Sequence, residues 1–142
     1  MNTPAQIDAY IATLEGQKQA DMESLHQHLV QMLPERKLWF LDGKDDSGKV
    51  VTNPSIGYGQ FNIRYKDGST KPFYQIGISS NSTGISVYIM GLEDKKYLTE
   101  TYGSTIGKAT VTGYCIKFKK LSDIHLEVLD NAIKSGLAQT DN

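Results

Sequence analysis

The strongest constraint on this chain is a set of turn signals at short spacing between residues 56 and 90. Asp67-Gly68 and Asn81-Ser82-Thr83-Gly84 punctuate three stretches of largely alternating residues. Glycine accepts positive φ, and Asn or Asp side chains close short turns on their own backbone, so such sequences reverse a strand. Connections this short leave no room for a crossover helix, which parallel pairing needs. The expectation is an antiparallel meander of three strands over residues 56–66, 72–79 and 85–90.

Helices are expected around this meander. Thr3-Pro4 followed by Gln6 reads as a helix start, with threonine as cap and proline at the first position. Ile7, Tyr10, Ile11 and Leu14 then form one apolar stripe, ended by Gly16. Met22, Leu25, Leu29, Met32 and Leu33 mark the buried side of a second helix over residues 19–33, stopped by Pro34. The two make an N-terminal helical hairpin. Residues 37–41 read as a strand, and Asp42 to Lys49 as a solvated loop. A short helix is expected from Glu93 to Tyr102, a further strand over 113–118, and a last helix from Ser122 to Ser135 with Gly136 at its C-terminus. Helices segregated from a mainly antiparallel sheet of about five strands define an α+β class. One domain over residues 1–138 is expected, with 139–142 as a frayed polar tail.

Composition narrows the function classes. The chain has 142 residues, 15 basic and 16 acidic, for a net charge of −1. That balance gives no electrostatic case for nucleic acid or an anionic membrane. A single cysteine, Cys115, excludes an internal disulfide and any multi-cysteine metal site. No apolar run approaches a membrane span, and no leader pattern opens the chain, so a cytoplasmic setting is expected.

The motif fragments are weak. Gly57-Tyr58-Gly59 lacks a third glycine and a following helix, so it does not read as a dinucleotide loop. Bare backbone there suits close packing of a ring or helix instead. Gly103 to Ala109 has three residues between its glycines where a phosphate loop has four, and Ala109 replaces the magnesium-binding hydroxyl. His26 and His28 are two residues apart on a helix, about 200° around its axis, so they cannot share one ion. His125 flanks the last helix. Asp45-Asp46 and Glu93-Asp94 have no environment that would separate their pKa values into an acid and a base.

Two surfaces merit attention. Alternation along residues 56–66 places Tyr58, Gln60, Asn62 and Arg64 on one strand face. An aromatic ring, two amides and a guanidinium together can grip a small polar or anionic ligand. Cys115 shares a strand face with Lys117 and Lys119, and a lysine two residues away can lower a thiol pKa.

The ordered set Ile56-Gly57-Tyr58-Gly59, Gly77-Ile78-Ser79, Ile85-Ser86-Val87-Tyr88-Ile89-Met90, Gly107-Lys108, Gly113-Tyr114-Cys115-Ile116-Lys117-Phe118 and Leu121-Ser122-Asp123-Ile124 resembles the YdhG-like family of bacterial domains of unknown function. The resemblance covers about residues 55–135 and implies a compact α+β domain. Cys115 matches the family's cysteine position. Distant members are similar to frataxin, which implies iron handling; the acids of the first helices here, Asp8, Glu15, Asp21 and Glu23, are scattered. Many members carry a Pro-Arg-Lys turn where this chain has Ser80 to Gly84.

The leading expectation is a non-enzymatic cytosolic binding domain. It takes a small polar ligand or a protein partner on the face of Tyr58, Gln60, Asn62 and Arg64, as a monomer or homodimer, with no cofactor and no resident metal. One alternative is a thiol enzyme or redox sensor built on Cys115. The other is frataxin-like iron binding and delivery.

Overall fold

The N-terminal stripes form the expected helical hairpin. In the computed structural model, which describes residues 2–141, α1 spans Thr3–Ala12 and α2 spans Gly16–Met32. Asn2, not Thr3, caps α1: its side chain accepts from the Ala5 N–H. Gly16 opens α2 at φ +59° rather than closing α1. Eight strands follow: β1 Leu38–Leu41, β2 Ser55–Tyr58, β3 Phe61–Arg64, β4 Thr70–Phe73, β5 Ile76–Asn81, β6 Gly84–Ile89, β7 Thr110–Val111 and β8 Cys115–Phe118. Helix α3, Tyr97–Tyr102, lies between β6 and β7, and α4, Leu126–Thr140, ends the chain. The class is α+β.

Six strands form one sheet in the order β1-β2-β5-β6-β8-β7, with every neighbouring pair antiparallel. Alternation sorts its faces. Ile56, Tyr58, Ile76, Ile78, Ile85, Val87, Ile89, Ile116 and Phe118 point to one side and are buried. There they meet Ile7, Ile11, Met22, Leu25, Leu29, Leu129, Ile133 and Leu137 of the helices in a single core. Each such side chain contributes about 1.5–3 kcal/mol by leaving water. Gly136 lies inside α4, where a Cβ would sit 2.3 Å from Ile89 Cγ2. The glycine expected to end the helix instead lets it approach the sheet.

The opposite face carries a row across the strands: Trp39, Gly57, Gly77, Tyr88 and Cys115. The ring of Tyr74 lies over both glycines. A Cβ on Gly57 would be 2.3 Å from its Cδ2, and one on Gly77 would be 2.5 Å from its Cε1. Phe73 stacks on Tyr74 with ring centroids 4.1 Å apart.

The structure corrects the expected continuous strand over residues 56–66. It breaks after Tyr58, because Gly59 turns the chain at φ +80° and the buried Gln75 side chain fills the corner. A Cβ on Gly59 would lie 2.2 Å from Gln75 Oε1. The return strand breaks at the matching level, across Tyr74 and Gln75. Strands β3 and β4 therefore form a two-stranded sheet separate from the main one.

Tyr58 is wholly buried and shares a 2.6 Å hydrogen bond between its hydroxyl and His26 Nδ1. Burial pushes the His26 imidazolium pKa down, against the opposing pull of Glu23 and Asp8. Below its ordinary pKa of about 6.5 the unfolded chain then binds a proton that the folded chain resists. This contribution to stability is intact above that pH and is lost as pH falls through the folded pKa. Wild type should show a larger drop in melting temperature between pH 7.5 and 5 than His26→Gln, whose amide keeps a partner for the Tyr58 hydroxyl. Equal drops in the two proteins would contradict the assignment.

Candidate functional site

The break at Gly59 decides which sequence-predicted residues can act together. Tyr58 belongs to the helix-covered core, so its expected role as a ligand contact is corrected: no surface is left for a ligand to touch. Gln60, Asn62 and Arg64 go with the hairpin and are exposed. They line one wall of a cleft of about 1200 Å³. Met90, Gly91, Leu92 and Glu93, just after β6, form a second wall. The end of α4, with Gln139, Thr140 and Asp141, and Arg36 from the segment after α2 complete it.

A buried amide holds these pieces together. Gln75 is 1% exposed, and both ends of its side chain are satisfied. Its Oε1 accepts from Arg36 Nη1 at 2.9 Å and from the Gln60 N–H at 3.2 Å. Its Nε2 donates to Thr140 Oγ1 at 2.8 Å and to Asp141 Oδ1 at 2.7 Å. Arg36 also grips Asp141 through two bonds, of 2.7 and 2.8 Å. The planar guanidinium matches the carboxylate geometrically. That hydrogen-bonded guanidinium holds the Asp141 carboxyl below the usual range, with Gln75 adding to the effect. The expectation of a frayed tail from residue 139 is therefore corrected: α4 runs to Thr140 and Asp141 is anchored, while Asn142 lies outside the described residues. The anchor needs Arg36, which is about a hundred residues away, and tail composition carries no sign of it.

Arg36 is thus engaged, whereas the Arg64 side chain has no hydrogen-bond or ion-pair partner among the described residues; only its backbone is paired, with Thr70. Gln60 accepts from Lys37 Nζ at 3.4 Å. The cleft's lining includes the Arg64 guanidinium, the Gln60, Asn62 and Gln139 amides, the Glu93 carboxylate and the apolar residues Phe61, Ile63, Met90 and Leu92. Such a lining can orient a small polar molecule. It holds no nucleophile paired with a base.

Cys115 lies on the opposite sheet face from the helices and is 2% exposed. Burial raises its thiol pKa; a hydrogen bond with Ser86 and the Lys117 charge pull the other way but less strongly. The expected activation by lysine is present and is outweighed. The two helix histidines are engaged separately, His26 with Tyr58 and His28 Nε2 with Asp130 at 2.7 Å. Among the described residues, no three His, Cys, Asp or Glu side chains come together as a metal site. Among the same residues, no helix is long and apolar enough to cross a membrane.

Neither a protein-family model, nor a curated protein, nor a solved structure matches this chain.

Proposed function

We propose that this chain is a small binding domain without catalytic activity, that it works in the cytosol, and that it belongs with the YdhG-like domains it resembles. Its ligand is a small polar molecule with an anionic group, held in the cleft between the β3–β4 hairpin and the end of α4. One observation carries this reading: Gln60, Asn62 and Arg64 line the same cleft as a wall already fixed by the Arg36–Gln75–Asp141 hydrogen bonds. A fixed wall limits the ordering cost that binding would otherwise incur. Arg64 supplies the free cation for the anionic end, and the amides supply donors and acceptors for the rest.

A thermal-shift screen against amino acids, nucleotides and small carboxylates tests the reading. A ligand at about a hundred times its dissociation constant adds about 2.7 kcal/mol, a rise of roughly 5–15 °C in a domain of this size. Arg64→Ala should abolish the shift and leave the unliganded melting temperature within about 2 °C of wild type, because the side chain is exposed. A ligand whose shift survives Arg64→Ala would overturn the site. A blank across all three compound classes would overturn the small-molecule reading.

A further inference from the structure

A second site stands at the other end of the molecule, where β8 meets the β5–β6 turn. Lys108, Lys117 and Lys119 line a cleft of about 580 Å³ there, with Thr83 and Thr110 beside them. One carboxylate, Asp123, lines it with them. Pairing leaves Lys117 without an acidic neighbour: its cross-strand partners are Ser86 on β6 and Thr110 on β7, both hydroxyls. Lys119 follows just past the end of β8. Lys18 of α2 reaches the same turn, donating from Nζ to the Asn81 carbonyl at 2.6 Å. No apolar packing accounts for the three lining lysines, which are exposed, and like charges gathered at one site repel. The chain as a whole has a net charge of −1, so this concentration is local.

We propose that this cleft binds a small, multiply charged phosphate ligand. Three ammonium groups lining one cleft match the charge of a di- or triphosphate, and the Thr110 hydroxyl adds a donor. Lysine acts on phosphate as a movable point charge, which suits an open cleft better than a rigid fork would. The site is separate from the cleft around Arg64 and does not depend on it.

The test is a calorimetric titration with inorganic tripolyphosphate at low ionic strength on wild type, Lys117→Gln, Lys119→Gln and Arg64→Gln. The expected result is binding by wild type that weakens about tenfold in each lysine variant and is unchanged in Arg64→Gln. Because the lysines are exposed, the variants should keep the wild-type melting temperature, which is measured alongside. Raising the salt should weaken wild type more steeply than Lys117→Gln, since one fewer charge pair is screened. No heat with wild type at millimolar tripolyphosphate would overturn the proposal. So would binding that both lysine variants retain in full, or that only Arg64→Gln loses.

Discussion

Gly57→Ala should cost about 3 kcal/mol, typical of a severe overpacking, and lower the melting temperature by roughly 10 °C. The new methyl would stand 2.3 Å from Cδ2 and 2.6 Å from Cβ of Tyr74. The ring has little room to slide along the sheet, because its other edge already lies over Gly77 on the next strand, close enough that a Cβ there would be 2.5 Å from Cε1. Phe73 closes it from above by stacking. The glycine's backbone cannot retreat either, since β2 is paired on both sides, with β1 and with β5. A double-mutant cycle isolates the cause. In a Tyr74→Gly background all three nearest atoms, Cδ2, Cγ and Cβ, are gone, and replacing the strand glycine at 57 should then be neutral or stabilising by a few tenths of a kcal/mol relative to that background. An equal cost in both backgrounds would mean that something other than the Tyr74 side chain requires glycine there.

Tyr58→Ala should be at least as damaging, at about 3–5 kcal/mol, the usual cost of removing a buried aromatic side chain. Tyr58→Phe separates packing from polarity. It keeps the ring and should cost about 1–2 kcal/mol through the lost hydrogen bond to His26. Asn62→Ala, at the next position but three along the same sequence, should change stability by no more than about 0.5 kcal/mol because the side chain is exposed. Chemical denaturation of the three variants measures the contrast. If Tyr58→Ala melted like Asn62→Ala, the ring would be on a surface and the break at Gly59 would be wrong.

The helical hairpin, the antiparallel pairing and the apolar face were legible because they follow from local pattern. Ile76 and Ile78, then Ile85, Val87 and Ile89, alternate as a strand with one buried side must. The turns at Asp67-Gly68 and Asn81 to Gly84 fall where expected. What local pattern could not show is how the meander divides. Alternation carries on evenly through Gly59 and Gln60, so a period-two reading joins β2 to β3 and places Tyr58 beside Arg64. The available signal was a glycine followed by a polar residue inside a strand, which marks a bend as readily as a close contact. The two-residue β7 is too short to carry any period.

The same division explains why the cleft was half legible. Gln60, Asn62 and Arg64 lie close in sequence and stay together on one hairpin. The facing wall draws Arg36 from beyond α2, Glu93 from beyond β6 and Asp141 from the last turn of chain. Gln75, which ties Arg36 and Asp141 to the hairpin, gave no sequence signal, since an amide in a strand ordinarily faces water. Cys115 shows the opposite limit. Its lysine neighbour was visible in the sequence, but the burial that outweighs the lysine comes from the strand pairing that sets Cys115 beside Tyr88 in the sheet.

The account rests most heavily on the cleft between the β3–β4 hairpin and α4. Amide chemical-shift mapping with a ligand found in the thermal screen addresses it directly. The account predicts shifts concentrated at residues 60–64, 90–93 and 139–141, with little change along β8. Shifts confined to other parts of the molecule, or spread evenly over it, would contradict the account.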